Sequence, residues 1–202
     1  MRPAAALAAL ALAPTCAAPV PAEDRAPAVE RTRVGGASKE DQAAAEKYFT
    51  NTELVDQHGR THRFYRDLLA GRKVLINFAF TTCTGVCPVM AQNLARVQEM
   101  LAKRGEKVTI LTITVDPEND TPAALARFAA KFKAGPGWHF LTGVPASVEA
   151  VLKRLGGQAK RPSEHTAKLL IGNTSTGMWL KTVATEPPET IVHLIEHLDD
   201  PE

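Results

Sequence analysis

Lys73-Val74-Leu75-Ile76-Asn77-Phe78-Ala79-Phe80-Thr81-Thr82-Cys83-Thr84-Gly85-Val86-Cys87-Pro88-Val89-Met90 is the stretch on which the fold turns. Val74 to Phe80 is an almost unbroken apolar run, as expected of a strand buried on both faces. The run passes through Thr81 to Cys87, and Pro88 then opens a helical pattern, because proline fits a first helical turn whose N–H groups are unpaired anyway. Cys83 and Cys87 therefore belong to a strand-to-helix junction, where a helix N-terminus favours negative charge. Such a position is expected to lower a cysteine pKa and to offer thiolate as nucleophile or metal ligand. The alternative is a structural disulfide or a pair of inert buried thiols.

Working outward, the same alternation of strand and helix patterns continues on both sides. Leu54 to His62 reads as a hairpin turning at His58-Gly59. After the cysteines, Val89, Leu94, Val97 and Leu101 mark one face of a helix reaching about Arg104. Val108–Val115 is a second buried strand. Thr121-Pro122 starts a helix through about Lys133, with Thr121 as N-cap. Trp138–Thr142 is a short strand and Pro145–Leu155 a helix. Lys168–Ile171 and Met178–Lys181 pair as a hairpin across Asn173–Gly177, and Pro187–Leu198 closes the chain as a helix. This order predicts an α/β fold, a central mixed sheet flanked by helices on both faces.

The composition, 45% hydrophobic and 23% charged over 202 residues, gives one ordinary globular domain enough apolar material for a core. A net charge of +2 and the lack of a long basic run argue against nucleic acid as a partner. Three cysteines are too few for a disulfide scaffold.

Residues 1–22 read as a signal peptide. Arg2 supplies the positive end, Ala4 to Ala13 the apolar core, and Val20-Pro21-Ala22 the cleavage site. Cleavage there removes Cys16. The alternative is lipidation of Cys16, which would bring membrane association. Either route predicts an exported, periplasmic protein. Residues 23–48 read as a flexible tether with a short helix at Lys39–Tyr48, and 49–202 as the globular domain.

Thr82-Cys83-Thr84-Gly85-Val86-Cys87-Pro88, Val115 to Pro122, Trp138-His139-Phe140-Leu141-Thr142-Gly143 and Glu164-His165-Thr166 together resemble the Sco/SenC family. Its members are thioredoxin-like copper chaperones serving the dinuclear copper centre of cytochrome c oxidase. The likeness spans about Phe49 to Leu198. It implies a thioredoxin-like fold, with Cys83, Cys87 and His165 as ligands of copper, as Cu(I), Cu(II) or both. It implies, as partner, the copper-site subunit of cytochrome c oxidase or another copper client, with a second copper chaperone as a further candidate. Soft thiolates suit Cu(I), and one imidazole lets such a site hold Cu(II) as well. Asp120 matches the family's loop acid. It would orient the site or dock a partner, or simply support the following helix by its charge; the last reading is preferred. The family commonly carries Pro-Asp after its first cysteine, where this chain has Thr84-Gly85.

A second function class stays open, a thiol–disulfide oxidoreductase cycling Cys83 and Cys87. A peroxidase would need an activating arginine, and none lies within Thr81–Met90. His193-Leu194-Ile195-Glu196-His197 matches an inverted zinc-peptidase pattern, but Leu194 and Ile195 are needed for packing and no further acid completes it. His58, His62 and His139 are expected at the surface or in turns.

Overall fold

The computed structural model describes residues 30–200. The expected signal peptide, Cys16 and the first part of the tether lie outside the described residues. The elements run β1 (Glu30–Arg33), α1 (Lys39–Phe49), β2 (Glu53–Asp56), β3 (Thr61–Arg63), a π-helical turn (Phe64–Leu69), β4 (Lys73–Ala79), α2 (Val86–Lys103), β5 (Val108–Thr114), α3 (Pro122–Lys131), β6 (Trp138–Thr142), α4 (Pro145–Leu155), a 3-10 turn (Pro162–Glu164), β7 (Lys168–Asn173), β8 (Met178–Val183) and α5 (Pro188–Glu196).

One eight-stranded sheet has the order β1-β8-β7-β4-β5-β6-β2-β3. β4 lies near its middle, parallel to β5 and antiparallel to β7, so its backbone is paired on both edges. Period-two alternation sorts side chains onto two cores. Leu75, Ile110, Phe140, Leu169 and Ile171 face α2, α3 and α5. Val74, Ile76, Phe78, Leu111, Ile113 and Leu141 face α1, α4 and the π-helical turn. The apolar run of β4 is thus continuous because each face meets its own helical layer.

Helix α2 is held down by Met90, Leu94, Val97 and Leu101, all at helical spacing and nearly or wholly inaccessible. Burial of each is worth about 1.5–3 kcal/mol. At the head of α3 the Thr121 hydroxyl accepts from the Ala124 N–H, with Pro122 in the first turn, as the sequence predicts. Among the described residues no helix is long and apolar enough to cross a membrane.

The tether expectation needs correcting from Glu30 onward. β1 pairs antiparallel with β8, and the Val34 N–H donates to the Gly177 carbonyl at 2.7 Å. Gly177 has φ +75°, and a Cβ there would overlap the Gly35 carbonyl, so glycine is required where the two segments meet. Helix α1 is as read but one residue longer, and it buries Ala45 and Phe49, the latter 4.8 Å from the Trp179 ring. Glu-Arg-Thr-Arg carries no apolar periodicity because β1 joins the sheet edge through its backbone.

Candidate metal centre

β4 ends at Ala79 and delivers Phe80 to the rim of the sheet. The Cys83 N–H donates to the Phe80 carbonyl at 3.2 Å, closing a tight turn before α2. Gly85 is the N-cap of α2 and makes no side-chain cap. Cys87 is the second residue of the helix and lies wholly inside the core formed by Met90, Leu94 and their neighbours. Cys83 stays partly exposed, and neither cysteine is in a disulfide.

The loop containing the 3-10 turn carries His165 to the same place. Its Nε2 lies 3.1 Å from Cys87 Sγ, and its Nδ1 lies 3.2 Å from the Thr166 carbonyl. Both contacts are satisfied when Nδ1 carries the proton and donates to Thr166, while the Cys87 thiol donates to the Nε2 lone pair. That tautomer is the one a metal-binding imidazole needs, since the backbone carbonyl fixes the far nitrogen and the near one is free to ligate. The Phe80 ring stands edge-on to the imidazole, centroids 5.5 Å apart and planes at 90°.

Cys83, Cys87 and His165 offer donor atoms that all lie within 4.8 Å of one another. Two sulfurs and one nitrogen at that separation fit a soft or borderline ion, whose bonds of about 2.3 Å to sulfur and about 2.0 Å to nitrogen set neighbouring donors roughly 3.5 Å apart. The structure brings together the three residues that the sequence analysis named.

The electrostatics differ from the expectation of a ready thiolate. Burial pushes the Cys87 thiol up to about 12, the neighbouring Cys83 adds to this, and backbone hydrogen bonding at Phe80 and Cys87 opposes without prevailing. Low-dielectric surroundings therefore outweigh the helix N-terminus at this residue. Burial lowers the His165 pKa, so its imidazole is neutral at neutral pH. Cys87 and His165 thus form a neutral, hydrogen-bonded pair, and an arriving cation must displace the Cys87 proton.

Asp120 does more than the preferred sequence reading allowed. It is buried, and its carboxylate accepts the Thr81 N–H at 3.1 Å together with the hydroxyls of Thr81 and Thr114. It lies just before the Thr121 N-cap, but its bonds run to the start of the cysteine loop. Thr81 and Thr114 were missed because a threonine at a strand end carries no signal of its partner, and Phe80 because it reads as the last strand residue.

The other histidines divide. His58 is exposed, as expected. His62 and His139 are largely covered and gather on Asp56, contrary to the expectation of surface or turn positions. His193 and His197 have ring centroids 4.3 Å apart, but among the described residues no third ligand joins them; His197 binds Asp200 instead.

Residues 39–198 match the family model described as SCO1/SenC. The SCO1 protein homolog of Bacillus subtilis (strain 168) is 37% identical over 97 residues, 46% of this chain and 50% of that protein. The chain spans about half the length, or less, of the curated relatives it matches first. Among solved structures, BsSco, a member of the Sco family of cytochrome c oxidase assembly proteins in which a disulfide switch was identified, is 25% identical. It superposes with a TM-score of 0.64 over 76% of this chain and 94% of that chain. Bradyrhizobium japonicum ScoI with copper bound is 26% identical, with a TM-score of 0.61 over 73% of this chain and 96% of that chain. These likenesses make the fold thioredoxin-like.

Proposed function

The chain belongs to the SCO1/SenC family, and from that premise we propose that it is a copper-binding protein whose cargo is held by Cys83, Cys87 and His165. The observation that carries this reading is the convergence of two free thiols and one neutral imidazole within 4.8 Å. A related structure with copper bound supports the choice of metal. Cys87 supplies the fixed sulfur, because it is anchored in the helix and the core. Cys83, partly exposed on the loop, is the sulfur that an incoming donor or a departing client meets first. His165 adds the harder donor that Cu(II) requires. Delivery to the dinuclear copper site of cytochrome c oxidase follows from the same reading, as does export to the periplasm.

A second reading rests on the same free pair of thiols. Cys83 and Cys87 would reduce a disulfide in a client's copper site: a Cys83–Cys87 disulfide forms, and the client's disulfide receives the two electrons and two protons. The disulfide switch identified in BsSco favours keeping it.

The deciding experiment is titration of the purified chain with Cu(I) under reductant and with Cu(II) without it, followed by absorption spectroscopy. One tightly held equivalent supports the carrier. Binding of neither ion, with rapid exchange against a disulfide-bonded copper-site peptide, puts the oxidoreductase in its place.

A further inference from the structure

A second convergence of donor atoms lies at the β2–β3–β6 edge of the sheet, away from β4 and its cysteines. The strand register builds it. Leu54 sits opposite His62, and Asp56 opposite Leu141. Cross-strand partners and residues two apart share a face. Asp56, His62 and His139 therefore all project from the face that carries Leu54 and Leu141.

The Asp56 side chain is fully buried. Its Oδ1 accepts the backbone N–H groups of His58 at 2.8 Å and Arg60 at 3.0 Å. Its Oδ2 lies 2.9 Å from His62 Nε2 and 3.9 Å from His139 Nδ1, and it also accepts from Arg60 Nε at 3.0 Å. Among the described residues, His139 Nδ1 is the buried side-chain polar atom left with no hydrogen-bond partner. Such an atom forfeits its hydration without recompense, and it calls for an explanation. Burial is the main cause that lowers the His139 pKa; the Arg60 guanidinium adds to it and the Asp56 charge opposes it without prevailing, so the ring is neutral. Burial alone would raise Asp56, but the hydrogen bonds from His62, Arg60 and His58 outweigh it and keep the carboxylate ionised.

We propose that Asp56, His62 and His139 form a second cation site, which takes a divalent first-row ion of borderline softness, Zn2+ being the type, through one carboxylate oxygen and two imidazole nitrogens. Bonds of about 2.0–2.2 Å in a tetrahedron set neighbouring donors about 3.3–3.5 Å apart. The observed 2.9 and 3.9 Å bracket that spacing, so small side-chain shifts suffice. On binding, His62 Nε2 gives up its proton in favour of the metal bond, the proton passing to Nδ1 or to solvent. His139 fills its unused lone pair. Arg60, whose side chain is 62% exposed, swings off Oδ2 into solvent. The side chains of His62 and His139 keep 18% and 21% of their surface exposed, which gives the ion its path. Nitrogen and oxygen donors distinguish this site from the sulfur-rich one, which keeps the preference for Cu(I).

The test uses the full chain with Cys83→Ser and Cys87→Ser, which silences the first centre, so failure here leaves the copper reading untouched. Zn2+ is titrated by calorimetry, and Co2+ by visible absorption as a probe of low coordination. One equivalent of Zn2+ is expected. Adding His139→Gln should weaken it by about tenfold or more, while Arg60→Ala, which removes a competing cation, should tighten it several-fold. Circular dichroism of each metal-free variant establishes that it is folded. The proposal is overturned if this doubly substituted chain binds Zn2+ no better than about 1 mM, or if folded His139→Gln binds unchanged. Should His139→Gln fail to fold, unchanged or weaker uptake by folded Arg60→Ala overturns it equally.

Discussion

His165 Nε2 lies 3.1 Å from Cys87 Sγ although 78 positions separate the two residues in the chain. The contact joins the loop before β7 to the first turn of α2, and each partner completes the other's hydrogen bonding. The same two atoms are the natural jaws of a metal site, with Cys83 as the third.

Replacing His165 by alanine should separate the two oxidation states of copper. Cu(I) is content with two thiolates, so its binding should be largely retained; Cu(II) needs the imidazole, so a thiolate-to-Cu(II) charge-transfer band should vanish or weaken greatly. The rate of disulfide reduction by small thiols should stay within several-fold of the parent. An unchanged Cu(II) spectrum would show that the imidazole is not a ligand.

Copper uptake should be pH-dependent in a definite direction. The folded chain holds the Cys87 proton up to about 12, so binding must release it below that pH. Apparent Cu(I) affinity should rise about tenfold per pH unit for each proton displaced. A competition titration against a chelator of known protonation between pH 6 and pH 9 measures the slope, and a flat profile refutes the assignment. Linkage has its own sign here. Because the thiol pKa is raised above its ordinary 9.0, the stability it contributes is full below pH 9 and is lost as pH climbs toward 12.

Asp120→Asn should loosen the cysteine loop without removing a ligand. The carboxylate's hydrogen bonds to Thr81 and Thr114 weaken, and the fold should lose about 1–3 kcal/mol. Cu(I) should dissociate faster at unchanged stoichiometry. Denaturant unfolding combined with stopped-flow metal transfer reads both quantities; loss of stability with unaltered release would confine Asp120 to the fold.

Gly177→Ala should prise β1 away from β8. The φ of +75° and the Gly35 carbonyl both oppose a Cβ, at a cost of about 1–3 kcal/mol. Hydrogen exchange at the Val34 amide should accelerate while amides of β4 and β5 stay protected. Equal acceleration throughout would mean that β1 unfolds only with the whole sheet.

Export has a simple chemical signature. If residues 1–22 are a signal peptide, mass spectrometry of the chain recovered from its source should find an N-terminus near Glu23. Recovery of a lipid on Cys16 would turn the reading to a lipoprotein, and an intact Met1 would end it.

Most of the sheet was legible from residues 73–198 because β4, β5 and β7 are apolar on both faces and the helices between them carry periodic apolar signals, with a capped start at α3. β6 and α4 fall where the sequence puts them, and Thr121 caps α3. Placement of the cysteines was legible as well, since a strand end and a first-turn proline fix it. Their ionisation was not. Whether a helix N-terminus lowers a thiol pKa depends on how deep the sulfur sits, and depth is a property of packing. The Thr81–Asp120 bond, the β1 pairing and the gathering of Asp56, His62 and His139 are likewise products of register between distant segments. Each residue by itself looks like a loop or surface residue.

The pairing of β1 with β8 also covers an edge that could otherwise recruit a strand from another copy of this chain. β8 carries Met178, Trp179 and Leu180, an apolar segment with a free ladder of N–H and C=O groups on any side left unpaired. β1 occupies that side with Glu30-Arg31-Thr32-Arg33, and the opposite margin of the sheet ends in Thr61-His62-Arg63. Charged strands at both margins discourage the addition of a strand from a neighbouring molecule. A protease cut between Val34 and Ser38 that released the N-terminal arm would bare β8, and concentration-dependent aggregation should be its first symptom, well before any loss of metal.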